Sequence, residues 1–237
     1  MRGIAAIAWK ELYVYFSSPM AYIIAAVFLA LTGFFFVDSI SGPLPPASLR
    51  DLLANSTFIF VLWSPLITMR LLAEERKLGT LELLLTSPIR DYEVVLGKFL
   101  ASLVILAATV SLTGYYALLL FWFGSPDLGP MLSSYLGFLL YGSVTLAIGL
   151  LASSFTSNQI VAAVIGSGVL LLLTFVDTTE TYITGVAGEI LANLGIATHF
   201  TDFVRGIIDT NNAVYYLSFT AFCLFLTVRN LEMRRWN

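Results

Sequence analysis

Charged side chains are scarce in this sequence. Asp, Glu, Lys and Arg make up 11% of its 237 residues, and hydrophobic residues make up 58%. A soluble domain is typically about 25% charged and about 45–50% apolar. The composition therefore excludes a soluble domain and predicts a protein of the lipid bilayer, for which we expect no nucleic-acid partner.

Cysteine and histidine are almost absent, with one of each. Cys223 alone cannot form an internal disulfide, and His199 alone cannot form a metal cluster. The sequence also lacks HExxH, CxxC, the phosphate loop G-x-x-x-x-G-K-[ST] and the nucleophile turn G-x-S-x-G. We therefore expect that this chain is not an enzyme and holds no catalytic residue, metal or cofactor.

Long hydrophobic runs, by contrast, recur along the chain. About 20 apolar residues cross a bilayer as a helix, and only helices satisfy the backbone of such isolated runs in hydrocarbon. The sequence predicts an all-α polytopic membrane protein with six transmembrane helices. The predicted spans are Met20–Val37, Leu52–Thr68, Phe99–Phe123, Leu132–Ala152, Ile160–Val176 and Ala213–Val228.

The distribution of Lys and Arg predicts the orientation. With both termini in the cytoplasm, ten of these residues lie inside and only Arg50 and Arg205 lie outside. Cytoplasmic loops carry the excess of Lys and Arg in membrane proteins. We therefore expect a multi-pass protein of a bacterial-type cytoplasmic (inner) membrane. The first hydrophobic run is too long for a signal peptide, so we expect no cleaved leader.

The predicted spans carry ionisable residues only at their ends. Ion-coupled transporters place such residues inside the bilayer, so the pattern argues against a proton- or sodium-driven mechanism. Small residues form stripes at Ala162-x-x-x-Gly166 and at Gly142 and Gly149. Such stripes serve either close helix packing or the lining of a pathway.

An amphipathic segment precedes the first span. Ile4, Ala8, Leu12 and Tyr15 recur at helical spacing within residues 2–16. The pattern predicts an N-terminal helix that lies in the membrane interface. The alternative is that these residues simply extend the first span.

The external segment 177–212 is long for a loop. We interpret its glycine-interrupted part, 182–197, as a re-entrant or interfacial segment. A short helix with one apolar face is predicted next. This helix is either an external gate on a pathway or a lid packed on its own subunit. The residues of the predicted gate are Phe200, Phe203, Val204, Ile207 and Ile208.

The stretch EERKLGTLELLLTSPIRDYEVVLGK, residues 74–98, interrupts the hydrophobic pattern with nine charged residues. Leu78–Leu85 is long enough for two helical turns with a leucine stripe, and Asp91 is a candidate N-cap for the helix that follows. A short helix between charged flanks suits docking into a cleft of a soluble partner. The alternative is a loop that lies on anionic lipid headgroups.

The run E-E-R, followed by G-T-L-E-L-L-L-T-S-P and E-x-x-x-G-K, resembles the first cytoplasmic loop of ABC-2-type permeases. These are the membrane subunits of ATP-binding-cassette (ABC) transporters. The N-terminal WKELYVYFSSPMAYI is similar to the same family, as is the six-helix plan. The ending HFTDFVRGIIDTNNAVYYLSFTAFCLFLTVRNLE resembles the gliding-motility-associated branch. The resemblance covers nearly the whole chain and implies a single transmembrane domain over residues 1–237.

The resemblance implies a permease subunit of an ATP-driven transporter, an exporter, whose coupling helix near 78–86 sits in a groove of a separate ATPase. Two permease chains, alike or related, would pair with two ATPases that bind ATP and Mg, and the branch implies an auxiliary subunit with an external domain. The implied ATPase-coupling residues are Glu74, Glu75, Arg76, Gly79, Thr80, Leu81, Glu82, Leu83, Leu84, Leu85 and Thr86.

Two other functions stay open on the sequence alone. The chain is either a membrane scaffold through which an ATPase does mechanical work on a partner protein, or an ion-coupled secondary transporter. The scaffold shares every local feature with the permease, and only movement of a substrate separates the two.

Overall fold

The computed structural model describes residues 2–41, 48–81, 89–124, 126–179 and 195–235, and within them the regular structure is helical. The helices follow one another along the chain. They are α1 (Arg2–Phe16), α2 (Pro19–Ile40), α3 (Arg50–Ser56), a 3-10 turn (Thr57–Ile59), α4 (Phe60–Lys77), α5 (Asp91–Phe123), α6 (Leu128–Phe155), α7 (Gln159–Thr179), α8 (Phe200–Arg205) and α9 (Thr210–Arg235).

The described residues contain six helical segments that are long and apolar enough to cross a membrane, which confirms the predicted six-span plan. Most of them extend beyond the hydrophobic run that predicted them. The third span begins at Asp91 rather than Phe99, and the second runs from Arg50 to Lys77. A helix satisfies its own backbone hydrogen bonds, so it continues past the hydrocarbon into polar surroundings.

Helices α4 and α6 form the centre of the bundle. Both are largely buried and pack against each other, whereas few residues of α2 and α7 are fully buried. Aromatic rings fill the space where α2, α4 and α6 meet. Phe60 contacts Phe28, Trp63 and Phe138 at ring-centroid distances of 4.8–6.0 Å. Such tilted and edge-to-face pairs add stability beyond their buried area.

Small residues permit the close approach of these helices. A Cβ atom on Gly142 would lie 2.6 Å from Leu106 of α5, and one on Gly149 would collide with the Thr68 hydroxyl of α4. Gly166 of α7 packs against Pro65 of α4. At these three positions the small-residue stripes therefore serve helix packing.

Helix α1 lies against the first turns of α5. Ser17 and Ser18 separate it from α2, and the Ser18 hydroxyl accepts a hydrogen bond from the Met20 amide. The buried stripe of α1 is Ile7, Glu11 and Tyr15. Of the predicted apolar face, Tyr15 is buried while Ile4, Ala8 and Leu12 are half-buried, and the inward face also carries Glu11, which pairs with a lysine of α5. The placement of α1 in the membrane interface stays a prediction.

Candidate functional site: a buried charge cluster at the basal end

The two ends of the bundle differ in chemistry. We call the end that holds α1, residues 74–81 and 89–98, and the last turns of α9 the basal end. The other end, with residues 124–128 and 195–210, is the apical end. The described part of the predicted coupling segment, residues 74–81, belongs to the basal end, and the predicted gate belongs to the apical end.

Lys98 is the centre of the basal charge cluster. Its side chain is only 1% exposed, and its Nζ lies 2.8 Å from Glu11 Oε1 and 2.9 Å from Glu75 Oε1. A buried ammonium is stable only when it is paired and hydrogen-bonded. The cluster therefore joins three helices, with Glu11 on α1, Glu75 on α4 and Lys98 on α5.

A second lysine closes the cluster on its outer side. Lys10 Nζ lies 3.2 Å from Glu75 Oε1 and 3.8 Å from Glu11 Oε1, and the Lys10 side chain is 60% exposed. Two ammonium groups thus face two carboxylates, and the four charges sum to zero. An exposed partner of this kind contributes little free energy by itself. The stability of the cluster depends mainly on Lys98.

Tyr15 and Arg70 make a second connection between α1 and α4. The Tyr15 hydroxyl donates to the Ile67 carbonyl, and the Arg70 guanidinium lies 5.1 Å from the centre of the Tyr15 ring. Arg70 Nε also lies 3.3 Å from Glu74 Oε2. Burial raises the pKa of Tyr15, so its hydroxyl stays protonated and remains a donor.

Serine and arginine side chains connect α4 to α6 at the same end. The Ser153 hydroxyl donates to the Met69 carbonyl and accepts from the Ala73 amide, at 2.9 and 3.0 Å. Arg76 Nη1 donates to the Phe155 carbonyl at 2.8 Å. This contact places a positive charge at the C-terminus of α6, where the helix dipole favours it.

The last helix is connected to this end through Asn230. Its Nδ2 donates to the carbonyl and the hydroxyl oxygens of Ser154, at 2.9 and 2.8 Å. An unpaired amide buried at this depth would be costly. The basal end is thus one continuous set of polar contacts that holds α1, α4, α5, α6 and α9 together.

Both ends of the charged stretch are held to this set. Helix α4 ends at Lys77, and Gly79 has a φ of +71°, which glycine adopts without strain. The Thr80 hydroxyl then donates to the Glu75 carbonyl at 3.2 Å. At the other end, the predicted N-cap Asp91 was wrong, because Arg90 takes that position and its amide donates to Glu93.

The structure divides the predicted coupling residues into two groups. Glu75 belongs to the charge cluster, Glu74 pairs with Arg70, and Arg76 contacts α6, while Gly79, Thr80 and the buried Leu81 follow α4. Their role in coupling stays a prediction. The remaining residues lie outside the described residues. These are Glu82, Leu83, Leu84, Leu85 and Thr86.

Sequence reasoning missed the partnership of Glu11 with Lys98. A signal was present, because Glu11 follows Ile7 and precedes Tyr15 at four-residue spacing on the face that packs inward. A carboxylate on a buried helix face requires a cationic partner. Which lysine supplies it cannot be read from spacing, since Lys98 lies 87 positions away.

The predicted gate divides at Gly206. The predicted helix was too long, because α8 ends at Arg205, where Gly206 adopts a left-handed conformation with a φ of +92°. Phe200 and Phe203 are buried, whereas Ile207 and Ile208 are exposed. Val204, which is half-buried, packs against the same core. The expected single apolar face is therefore interrupted.

Phe203 is fixed against the apical end of α6. Its carbonyl accepts from the Ser133 hydroxyl at 2.7 Å, and its side chain packs on Gly137. A polar chain continues from α8 to α9, because Asn212 Nδ2 donates to Asp202 and Asn212 Oδ1 lies 2.7 Å from His199 Nδ1. These contacts are compatible with both interpretations of α8, a lid packed on its own subunit and an external gate. The re-entrant segment predicted for 182–197 lies largely outside the described residues.

The sequence model of the ABC-2 family transporter proteins matches residues 5–221. The chain is also 32% identical over 109 residues to the probable multidrug ABC transporter permease YbhR of Escherichia coli K12, and equally to that of strain O157:H7. The match covers 46% of this chain and 28% of each relative. The gliding-motility branch stays a prediction.

Proposed function

This chain belongs to the ABC-2 family of transporter proteins, and we propose that it is the permease subunit of an ATP-driven exporter whose ATPase is a separate subunit. Membership of the family makes it a transmembrane subunit of an ABC transporter. The proposal adds three points to family membership. They are export, coupling through residues 78–86 and the identity of the partners. The basal end faces the cytoplasm, in agreement with the excess of Lys and Arg there.

The observation that carries the proposal is the position of Glu75 and Lys98 at the two ends of the charged stretch. Lys98 pairs with Glu11 of α1, and Glu75 pairs with Lys98 and Lys10. These ion pairs hold α1, α4 and α5 together at the basal end, so the three helices move as one. A rigid-body displacement of an ATPase docked on residues 78–86 would therefore move three helices rather than bend a loop. Coupling by rigid motion needs such a connection.

The assembly follows from the family. Two permease chains, alike or related, pair with two ATPases, which bind the ATP and Mg. The gliding-motility branch, which stays a prediction, would add an auxiliary subunit with an external domain. The relatives are named probable multidrug ABC transporter permeases, which suggests drug-like molecules as the substrate class of this chain. The interior of the spans is apolar with scattered serine and threonine hydroxyls, and it is compatible with such a molecule.

The proposal is tested by co-purifying the chain with its partner ATPase. ATP hydrolysis and substrate movement are then measured in lipid vesicles. Replacing Leu83 and Leu84 with Asp should abolish ATPase binding or coupling. Leu128→Asp is the matched control, because Leu128 is an exposed leucine at the apical end. Normal assembly and transport in the Leu83/Leu84 variant would refute coupling through this stretch. Coupled hydrolysis without movement of any substrate would favour the mechanical scaffold.

A further inference from the structure

Three spans form a groove on the lateral surface of the bundle. Helices α7 and α9 both pack on α6 but share almost no contacts with each other. The gap between them has a volume of about 210 Å³. Ala152 of α6 lies on its floor, Ile165 and Val169 of α7 line one wall, and Phe222, Cys223 and Leu226 of α9 line the other.

The groove opens toward the hydrocarbon of the bilayer. The residues that line it are apolar apart from the Cys223 thiol, which itself behaves as a small hydrophobe. Val169 and Phe222 on its two rims are exposed on the surface of the chain. An engineered apolar cavity of about 150 Å³ stays dry and binds an apolar ligand. This groove is larger, and it faces acyl chains rather than water.

The residues that line the groove favour a flexible acyl chain over a second helix as its occupant. Helices associate in bilayers where small residues let their backbones approach. In this chain Gly149 and Gly166 already contact α4, and Gly142 contacts α5. Apart from Ala152 and Cys223, the groove is lined by Phe, Leu, Ile and Val. These bulky side chains hold a second helix away, whereas an acyl chain can follow the space between them.

A basic residue follows the groove toward the basal end. Arg229 lies one turn beyond Leu226 on α9, and its guanidinium lies 5.1 Å from the centre of the Phe225 ring. The Arg229 guanidinium forms an ion pair with Glu232 at 2.8 Å, and more than half of the Arg229 side chain is exposed. An arginine at the end of a span reaches the headgroup level, where it attracts anionic lipid.

We propose that this groove holds one acyl chain of an anionic phospholipid from the leaflet at the basal end, with its phosphate beside Arg229. The proposal requires only that the chain spans a bilayer. It does not depend on the ATPase or on export, so its failure would leave the proposed function untouched. The lipid would fill the gap between α7 and α9 and hold these two helices apart on α6.

Native mass spectrometry of the purified chain in mild detergent tests the proposal. The unaltered chain should retain one phospholipid, and Val169→Trp should lose it by filling the groove. Val164→Trp is the matched control, since Val164 is an exposed valine on the same helix outside the lining. Arg229→Gln should keep a bound lipid but lower its preference for phosphatidylglycerol over phosphatidylcholine by roughly fivefold.

Photocrosslinking of the unaltered chain gives a readout that needs no variant. Phosphatidylglycerol with a diazirine in its acyl chain should label peptides 165–173 and 219–226. Helix α2 is the internal reference, because its exposed residues Ile23 and Val27 also face lipid. Even labelling of α2 and the groove would overturn the proposal, as would equal lipid retention by the two tryptophan variants. A change in oligomeric state in Val169→Trp alone would instead assign the groove to a second copy of the chain.

Discussion

Gly97 of α5 and Ile7 of α1 lie so close that a Cβ atom on Gly97 would be 2.8 Å from Ile7 Cβ. The Ile4 carbonyl, at 3.0 Å, closes the same space. Glycine at this position is therefore what brings the α1 backbone onto α5. Because the contact sits one residue before Lys98, it also sets the distance over which Lys98 reaches Glu11.

Gly97→Ala should weaken the contact between α1 and α5. Alanine favours a helix over glycine by about 1 kcal/mol, but the clash with Ile7 should outweigh this gain. Gly114→Ala on the same helix is the control, since a Cβ there meets nothing within 4 Å. We expect Gly114→Ala to be more stable than Gly97→Ala by about 1–3 kcal/mol in unfolding titrations. Equal stability would mean that α1 is not tightly packed.

Lys98→Met should be strongly destabilising, because it removes the buried cation between Glu11 and Glu75 and leaves them only the exposed Lys10. Breaking a buried pair costs about 3–5 kcal/mol. The same change at the exposed Lys10 should cost less than about 1 kcal/mol. The two free energies of unfolding can be compared in one detergent. Similar values for both variants would show that Lys98 is not the centre of the cluster.

The span plan could be predicted from sequence because span length and hydropathy are local properties. Leu132–Ala152, for example, lies wholly within α6. The cluster of Glu11, Glu75 and Lys98 could not be predicted, because its members meet only through tertiary packing. The end of α8 is a different case. Gly206 directly after Arg205 is a readable stop signal, but the apolar periodicity of Ile207 and Ile208 outweighed it.

Tyr15 should make the protein sensitive to alkaline pH. Burial raises the pKa of Tyr15 above its ordinary value near 10. Above about pH 10 the unfolded chain releases this proton and the folded chain keeps it, so stability falls by up to about 1.4 kcal/mol per pH unit. Below about pH 10 this contribution is fully present.

Tyr15→Phe should remove that part of the alkaline slope, although it also loses the hydrogen bond to Ile67. The measurement is the free energy of unfolding between pH 8 and 11, taken as the difference from the unaltered chain so that other tyrosines cancel. Tyr13→Phe is the control, because Tyr13 lies on the same helix and is 71% exposed. Parallel pH profiles for all three proteins would contradict the prediction.

Glu75→Gln should separate ATP hydrolysis from transport in the assembled complex. The amide keeps the shape of the side chain but loses charge-assisted contacts with Lys98 and Lys10. Such a contact contributes about 1.5–3 kcal/mol, so we expect transport to fall by roughly tenfold or more while hydrolysis persists. Glu232→Gln, which alters an exposed pair with Arg229, should leave the ratio unchanged. A proportional loss of both activities would argue against a role in transmission.

A disulfide between α6 and α8 should distinguish the gate from the lid. Gly137→Cys and Phe203→Cys place two thiols where Phe203 now packs on Gly137, in a chain whose natural thiol is removed by Cys223→Ser. A Cβ on Gly137 would lie 2.6 Å from Phe203 Cβ, so the helices must separate by about 1 Å to reach disulfide geometry.

If α8 moves as a gate, oxidation of this pair should stop transport while ATP hydrolysis continues, and reduction should restore transport. Each single cysteine variant under the same oxidant is the control. If α8 is a fixed lid, the oxidised protein should transport as well as the reduced one. The physical difference is whether the contact between Phe203 and Gly137 must open during each cycle, and a covalent bond tests that contact directly.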